Sequence, residues 1–322
     1  MLTDEKILIT GVTGTVARPL AEFLAGNNEV WGVARFASDG DRHKEHYHSV
    51  AGEPVRLLSD RETLESAGIT TRRIDLADGE FDDLPDDFTY VLHLAWMRAD
   101  LQHLEDAIRT NVEGAGLLLH HCRRAKAALV MSGMGIYSPN TDPWHAYTET
   151  DPIGRGATAY APTSPASKLG VEAVARYCGR AYDLPITIAR LNTFMGVPGS
   201  FPAMHITSVL TGGTMIAPYE PSPHTPIHMA DMQDQLEPLL DAAGTPALIT
   251  NWCGDETVTA QEWIAEASRL SGKPGHLDIR PAPGSPAGTR ADPTRRQSIT
   301  GMCKTDFWTE FKRLHDELAS GT

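Results

Sequence analysis

The amino-acid sequence predicts an α/β fold, a doubly wound parallel sheet with a smaller C-terminal lobe, on three observations. Short apolar strand candidates alternate with helical patterns as far as Leu191. The run Lys6–Arg18, KILITGVTGTVAR, sets three apolar residues before a glycine turn and a helix, which is how a strand feeds a phosphate-binding loop. From about Asn192 the texture changes to loops rich in proline and glycine, as expected of a substrate-binding region.

Taken in order, Ile7, Leu8 and Ile9 read as a buried parallel strand, and Gly11 permits the tight turn after it. Gly14 lets the next helix begin with free N–H groups aimed at a pyrophosphate, with Thr13, Thr15 and Val16 lining the same loop. Val16, Leu20 and Leu24 form the apolar stripe of that helix. A second strand follows at Glu29–Ala34, and further strands are expected at Arg73–Leu76, Tyr90–Ala95, Ala128–Ser132 and Ile186–Leu191. One intervening helix carries a capping box, Ser59 with Glu62, and Gly68 closes it. The stretch Gly196–Pro226 shows little periodicity and reads as an irregular substrate loop. A helix at about Met229–Ala243 and a strand at Ala247–Cys253 return to the main sheet, and the last part of the chain reads as a small helical lobe with an irregular segment from Pro281 to Pro293. The expected division is a Rossmann dinucleotide-binding domain over 1–191 with a return at 224–253, and a substrate-binding lobe over 192–223 and 254–322.

The chain of 322 residues, 41% hydrophobic and 22% charged, is long enough for two closely joined globular domains. No apolar run reaches the length of a membrane span and no basic segment leads into an apolar signal stretch, so a cytoplasmic location is expected. Cys122, Cys178, Cys253 and Cys303 lie far apart, which suggests neither disulfides nor a zinc site. The imidazoles of His43, His46 and His48 share no helical face, so they read as a solvated loop, and no metal is expected. A net charge of −14 argues against nucleic acid or an anionic membrane as partner.

Several segments together resemble the extended short-chain dehydrogenase/reductase family of nucleotide-sugar epimerases, dehydratases and related reductases. They are the Thr10–Ala17 loop, Asp75-Leu76, His93-Leu94-Ala95, Asn111-Val112-Glu113-Gly114, Ser132 through Tyr137, Ser167–Glu172, Arg190-Leu191-Asn192 and Pro226–Asp231. The resemblance implies that Gly11, Thr13, Gly14, Thr15 and Val16 hold the pyrophosphate, that Asp75 and Leu76 hold the adenine, and that Leu94, Ala95, Trp96 and Asn111 line the cofactor cleft. It implies that Lys168 binds the nicotinamide ribose, and that the chain dimerises through Leu101–Arg124 and Ser167–Ala181. His93 would pack beside the cleft, and His228 with Asp231 would form a structural turn.

The second strand ends in Arg35 with no carboxylate beside it, so a 2′-phosphate is favoured over a free ribose hydroxyl. NADP(H) is therefore the expected cofactor, with NAD(H) as the alternative, and Arg42 and Lys44 could assist. Trp31–Phe36 also resembles the corresponding segment of the NADPH-using progesterone 5β-reductase and iridoid synthase branch.

The family's catalytic tyrosine stands four residues before the lysine, and that position here is Ser164. Ser164-Pro165 reads as a helix cap followed by proline at the first helical position; in another alignment the tyrosine is simply deleted. The partner hydroxyl is also displaced, since Gly133 stands where a serine or threonine is usual and Ser132 is adjacent. Tyr160, with Tyr137 behind it, offers a substitute phenol, so the proton would come from Tyr160 or Ser132, with Lys168 beside them. Tyr137, Ser164, Asn192, Phe194 and Met195 are candidates for the substrate pocket, with Phe201 and Met204 extending its apolar part.

The leading reading is an NADP(H)-dependent oxidoreductase acting on a small organic carbonyl or activated alkene. One alternative is a nucleotide-sugar epimerase or dehydratase with tightly bound NAD, in which Arg290, Arg295 and Arg296 serve a diphosphate. The other is a cofactor-binding protein without redox turnover.

Overall fold

The computed structural model describes residues 1–36, 61–156, 161–280 and 284–320. Seven strands form one parallel sheet: β1 Lys6–Thr10, β2 Glu29–Ala34, β3 Ile69–Arg73, β4 Tyr90–His93, β5 Ala127–Gly133, β6 Ile186–Leu191 and, late in the chain, Leu248–Trp252. Running from one edge to the other, the last of these lies beside β6, followed by β5, β4, β1, β2 and β3. The chain therefore winds outward from β1 in both directions, and the order reverses between β1 and β4. That reversal opens a crevice at the carboxyl ends of the two strands, where ligands bind in sheets of this kind.

Alternation along the strands feeds two separate layers of core. Ile7, Ile9, Leu92 and Leu129 point to one face, where helix α1 (Ala17–Ala25) contributes Leu20 and Leu24. Leu8, Val91, Ala128, Val130 and Ile188 point to the other face. That face is covered by α4 (Gly114–His121) and α5 (Ser164–Tyr182), through residues such as Leu118, Leu119, Val171 and Ala175. Two short helices, α2 (Arg61–Ser66) and α3 (Leu104–Ala107), sit at the connections, and a π-helical turn, Ile108–Glu113, joins α3 to α4.

Beyond β6 come β7 (Phe194–Met195), α6 (Phe201–Thr211), β8 (Thr214–Ala217), β9 (Pro223–His224) and β10 (Ile227–His228). Helix α7 (Met229–Asp241) then packs Met232, Leu236 and Leu239 onto the same face as α1 and leads into the edge strand Leu248–Trp252, numbered β11. The remaining elements are β12 (Val258–Thr259), α8 (Ala260–Ser271), β13 (His276–Ile279), α9 (Thr294–Thr300) and α10 (Phe307–Ser320). Helices α6, α8 and α10 enclose a core of their own around Ile206, Val209, Trp263, Phe307 and Phe311. Residues Thr259 and Glu262 form a reciprocal capping box that starts α8.

Three boundaries differ from those expected. The third strand ends where it was expected to begin, because Ile69-Thr70-Thr71, a β-branched run, pairs with Val30–Gly32 and leaves Asp75 and Leu76 in the following turn. The fourth strand stops at His93, since the next two amides turn to a side chain. The stretch Gly196–Pro226 contains the eleven-residue helix α6, with Pro202 in its first turn and Gly212 at φ +75° ending it. Its inward face includes His205 and Ser208, polar residues that mask the apolar period. Ser59, Arg42, Lys44, His43, His46, His48 and Tyr160 lie outside the described residues. No described helix is long and apolar enough to cross a membrane.

Candidate active site

At the end of β1 the backbone turns under steric constraint. Gly11 sits at φ +70°, and a β-carbon there would lie 2.6 Å from the Ala95 α-carbon. Its amide donates to the Val33 carbonyl at 2.8 Å, and its carbonyl accepts from the Gly14 amide at 2.7 Å, closing the loop before α1 begins at Ala17. Gly14 is exposed, Thr13 and Thr15 are half-buried and Val16 is buried. Val16 caps α1 with no side-chain hydrogen bond, so that helix start has no acceptor from its own cap. A turn with glycine at positions 11 and 14, ending in a helix N-terminus, fits the phosphates of a dinucleotide.

The ends of β1 and β4 are joined by one hydroxyl. Thr10 Oγ1 accepts the Leu94 and Ala95 amides, each at 3.1 Å, and donates to His93 Nδ1 at 3.0 Å. His93 therefore keeps its proton on Nε2, and burial, with the nearby Lys168 charge, pushes its pKa down to about 3. It serves as a neutral packing residue. Asn111, on the π-helical turn, spends both halves of its amide on Met97, accepting from the Met97 amide at 2.8 Å and donating to its carbonyl at 2.9 Å. Asn111 thus shapes the cleft by holding the loop after β4. Gly114 makes room for the opposite wall, since a β-carbon there would lie 2.8 Å from Leu76. Asp75 accepts the Ala77 amide at 3.1 Å and remains half-buried at the rim, and Leu76 is buried behind it. Arg35 follows β2 directly and lies half-buried, with Nη1 3.8 Å from Met97 Sδ.

Lys168, on α5, reaches the carboxyl-terminal half of β5. Its ammonium donates to the Met131 carbonyl at 2.8 Å and lies 3.7 Å from the centroid of the Trp96 ring, with the side chain almost fully buried. Burial pushes its pKa down to about 7; the Glu172 carboxylate opposes that fall and Arg98 adds to it. Ser132 follows Met131 on β5, and its hydroxyl is buried without a partner among the described residues. Ser164 is the first residue of α5 and Thr163 its cap position, so the helix starts one residue earlier than a Ser164 cap would place it. The residue before it, Thr163, is fully buried and donates its hydroxyl to the Ala99 carbonyl at 2.9 Å.

Several candidates for the substrate pocket have their side chains engaged within the protein. Tyr137 is fully buried, donates to Asn251 Oδ1 at 2.6 Å and accepts from Arg190 Nη1 at 3.0 Å. Burial pushes its hydroxyl up to about 12, and the hydroxyl is held inside the core by these two partners. Asn192 accepts the Thr193 amide at 2.6 Å and donates to the Thr289 carbonyl, stitching two loops together. Met195 lies in the core enclosed by α6, α8 and α10, while Phe194 is half-buried against the main core. Among the arginines, Arg296 is fully buried on Asp255, and Arg295 donates to the Ile249 carbonyl at 3.0 Å. Arg290 donates to the Trp144 carbonyl at 2.8 Å and to the Thr257 hydroxyl at 3.1 Å. His228 caps α7, accepting the Ala230 amide at 3.1 Å, and Asp231 accepts from the Lys304 amide at 2.6 Å. Glu172 and Arg190 were not singled out for chemistry, yet they form the buried ion pair of this region; their positions inside Ser167–Glu172 and Arg190–Asn192 were the available signal.

The glycine turn, the strand-order reversal and a buried lysine on α5 define a dinucleotide-binding α/β enzyme, and the comparisons specify which. The model of the NAD dependent epimerase/dehydratase family matches residues 7–214, and the chain belongs to that family of enzymes. Among solved structures it is similar to a mutant UDP-glucuronic acid 4-epimerase from Bacillus cereus, at 19% identity and a TM-score of 0.80, covering 98% of this chain and 100% of that one. It is also similar to a UDP-N-acetylglucosamine 4-epimerase from Methanobrevibacter ruminantium, at 15% identity and a TM-score of 0.79 with both chains fully covered. A third is an NAD dependent NDP-hexosamine 5,6-dehydratase of tunicamycin biosynthesis, at 20% identity and a TM-score of 0.75, with 99% of each chain covered. No curated protein sequence matches the chain.

Proposed function

We infer that the chain is an NAD(H)-dependent enzyme acting on a nucleotide sugar, as an epimerase or dehydratase. The observation that carries this reading is the Gly11 turn. Its walls leave no room for a β-carbon beside Ala95, at the one place where the strand order reverses. The nucleotide-sugar part rests on family membership and on a likeness to epimerases and a dehydratase that extends through the second lobe. Gly11, Thr13, Gly14, Thr15 and Val16 would hold the pyrophosphate, Asp75 and Leu76 the adenosine, with Leu94 and Ala95 forming the floor. When bound, the nicotinamide supplies a reversible hydride acceptor.

This chain's own part is positioning and proton handling. Lys168 would bind the ribose hydroxyls, and the Ser132 hydroxyl, buried without a partner among the described residues one position after Met131, would pass a proton. Tyr160 is the other candidate for that step. Of the three arginines, Arg290 and Arg295 would serve the substrate diphosphate, since Arg296 is sealed in the core. The chain would act as a homodimer in the cytoplasm.

A second reading, an NADP(H)-dependent reductase of a small carbonyl or activated alkene, is favoured by Arg35 directly after β2. Fluorescence titration with NADH and NADPH, together with product analysis on a panel of UDP-hexoses, separates the two. Preference for NADH and formation of a C4 epimer or a dehydrated sugar supports the first. Preference for NADPH that disappears in Arg35→Ala, with the UDP-sugars untouched, replaces it with the second.

A further inference from the structure

The segment that follows β4 is fastened at alternate residues. The Ala95 amide is held by Thr10 Oγ1 at 3.1 Å, the Met97 amide and carbonyl by Asn111 at 2.8 and 2.9 Å, and the Ala99 carbonyl by Thr163 Oγ1 at 2.9 Å. Three distant parts of the chain thus fix the backbone on both sides of Trp96, whose indole is aimed at Lys168 with its ring centroid 3.7 Å from Nζ. The lysine is 8% exposed, donates to Met131 at 2.8 Å and presents its remaining side to the indole face. A fixed backbone leaves the indole only its own side-chain torsions with which to move aside.

We propose that Trp96 is a specificity-determining gate: its indole covers Lys168, so the cleft grips the ADP half of a dinucleotide while the nicotinamide half must first displace the ring. This rests on the dinucleotide reading above and adds to it an unequal division between the two halves of the cleft. The ADP half meets a turn already shaped by Gly11 and Gly14. The nicotinamide half meets a cation already engaged with an aromatic face in a desolvated setting, an interaction that any ribose hydroxyl has to replace. A small residue at position 96 would leave Lys168 open from the outset.

The test is calorimetric titration of the purified protein, of Trp96→Ala and of Trp96→Phe with NAD⁺ and with ADP, which lacks the second ribose. In the wild type the two ligands are expected to bind within about threefold of each other, because displacing the ring cancels what the nicotinamide riboside half gains. Trp96→Ala should tighten NAD⁺ by about tenfold and leave ADP unchanged, and Trp96→Phe should behave as the wild type does. Constant ADP affinity also reports that the variant is folded. Should Trp96→Ala lose both ligands, Trp96→Leu takes its place, and the wild-type ratio needs no variant. NAD⁺ binding far more tightly than ADP to the wild type, or failing to tighten in the small variant, overturns the gate while the dinucleotide reading stands. If neither ligand binds any of the proteins, the dinucleotide reading itself falls, and the gate with it.

Discussion

Glu172 and Arg190 meet through two parallel hydrogen bonds of 2.9 Å, with both side chains almost completely removed from water. The pair ties α5, one turn beyond Lys168, to β6, and Arg190 continues to the Tyr137 hydroxyl and to the Glu149 carbonyl at 3.2 Å. Glu172→Ala leaves a guanidinium buried without its counter-ion and is expected to cost about 3–5 kcal/mol. Urea unfolding reads that loss. The double variant Glu172→Ala, Arg190→Met should recover part of it, because no lone charge then stays in the core; an unchanged midpoint in the single variant contradicts this account.

Gly11→Ala tests the turn. The added methyl would lie 2.6 Å from the Ala95 α-carbon at a backbone φ of +70°, so either the loop or the segment after β4 must shift. Affinity for ADP-ribose should fall by at least about tenfold, with stability reduced by roughly 1–3 kcal/mol. Wild-type affinity in a folded Gly11→Ala protein would place the nucleotide elsewhere.

His93, His205 and His224 are buried in the neutral form, with burial pushing their pKa values down to about 3, about 4 and about 3. As pH falls below 6.5 the unfolded chain takes up these protons and the folded one does not. Their contribution is therefore whole above 6.5 and is lost progressively down to the folded values, at up to about 1.4 kcal/mol per pH unit for each histidine. Urea midpoints between pH 7 and pH 4.5 should show the decline. His205→Phe, which keeps the aromatic contacts with Phe201 and Trp263, should make it shallower, and an identical slope counts against the assignment.

Leu117 on α4 and Tyr177 on α5 are 43% and 65% exposed, on helices that pack against each other. The proposed homodimer would cover both. Sedimentation velocity of Tyr177→Asp should then give a monomer where the wild type gives a dimer; a monomeric wild type removes the proposal.

Much of the sheet could be read from the chain because runs such as Ile7-Leu8-Ile9 and Tyr90-Val91-Leu92 are buried on both faces, and a parallel strand needs such continuity. Ile69–Arg73 escaped because it is the edge strand of the sheet among the described residues, where threonine and arginine are tolerated. The helix Phe201–Thr211 escaped because His205 and Ser208 occupy inward positions. The glycine turn was legible for a local reason, since its shape depends on adjacent residues. The surroundings of Lys168 were not, because the indole above it and the carbonyl beneath it come from two other strands' ends. Tyr137 likewise looked available until Asn251, far along the chain, closed over its hydroxyl.

The π-helical turn Ile108–Glu113 holds one residue more than an α-helical path between α3 and α4 would need. Deleting a single residue there would let an unbroken α-helix join α3 to α4 with both left in place, and only the residues of the turn itself would be redistributed around the helix. Asn111 would swing off Met97, and the loop that carries Trp96 would lose its fastening. Along this stretch, then, sequence length itself is under constraint: a change of side chain at most of these positions keeps the latch, whereas a one-codon deletion opens it.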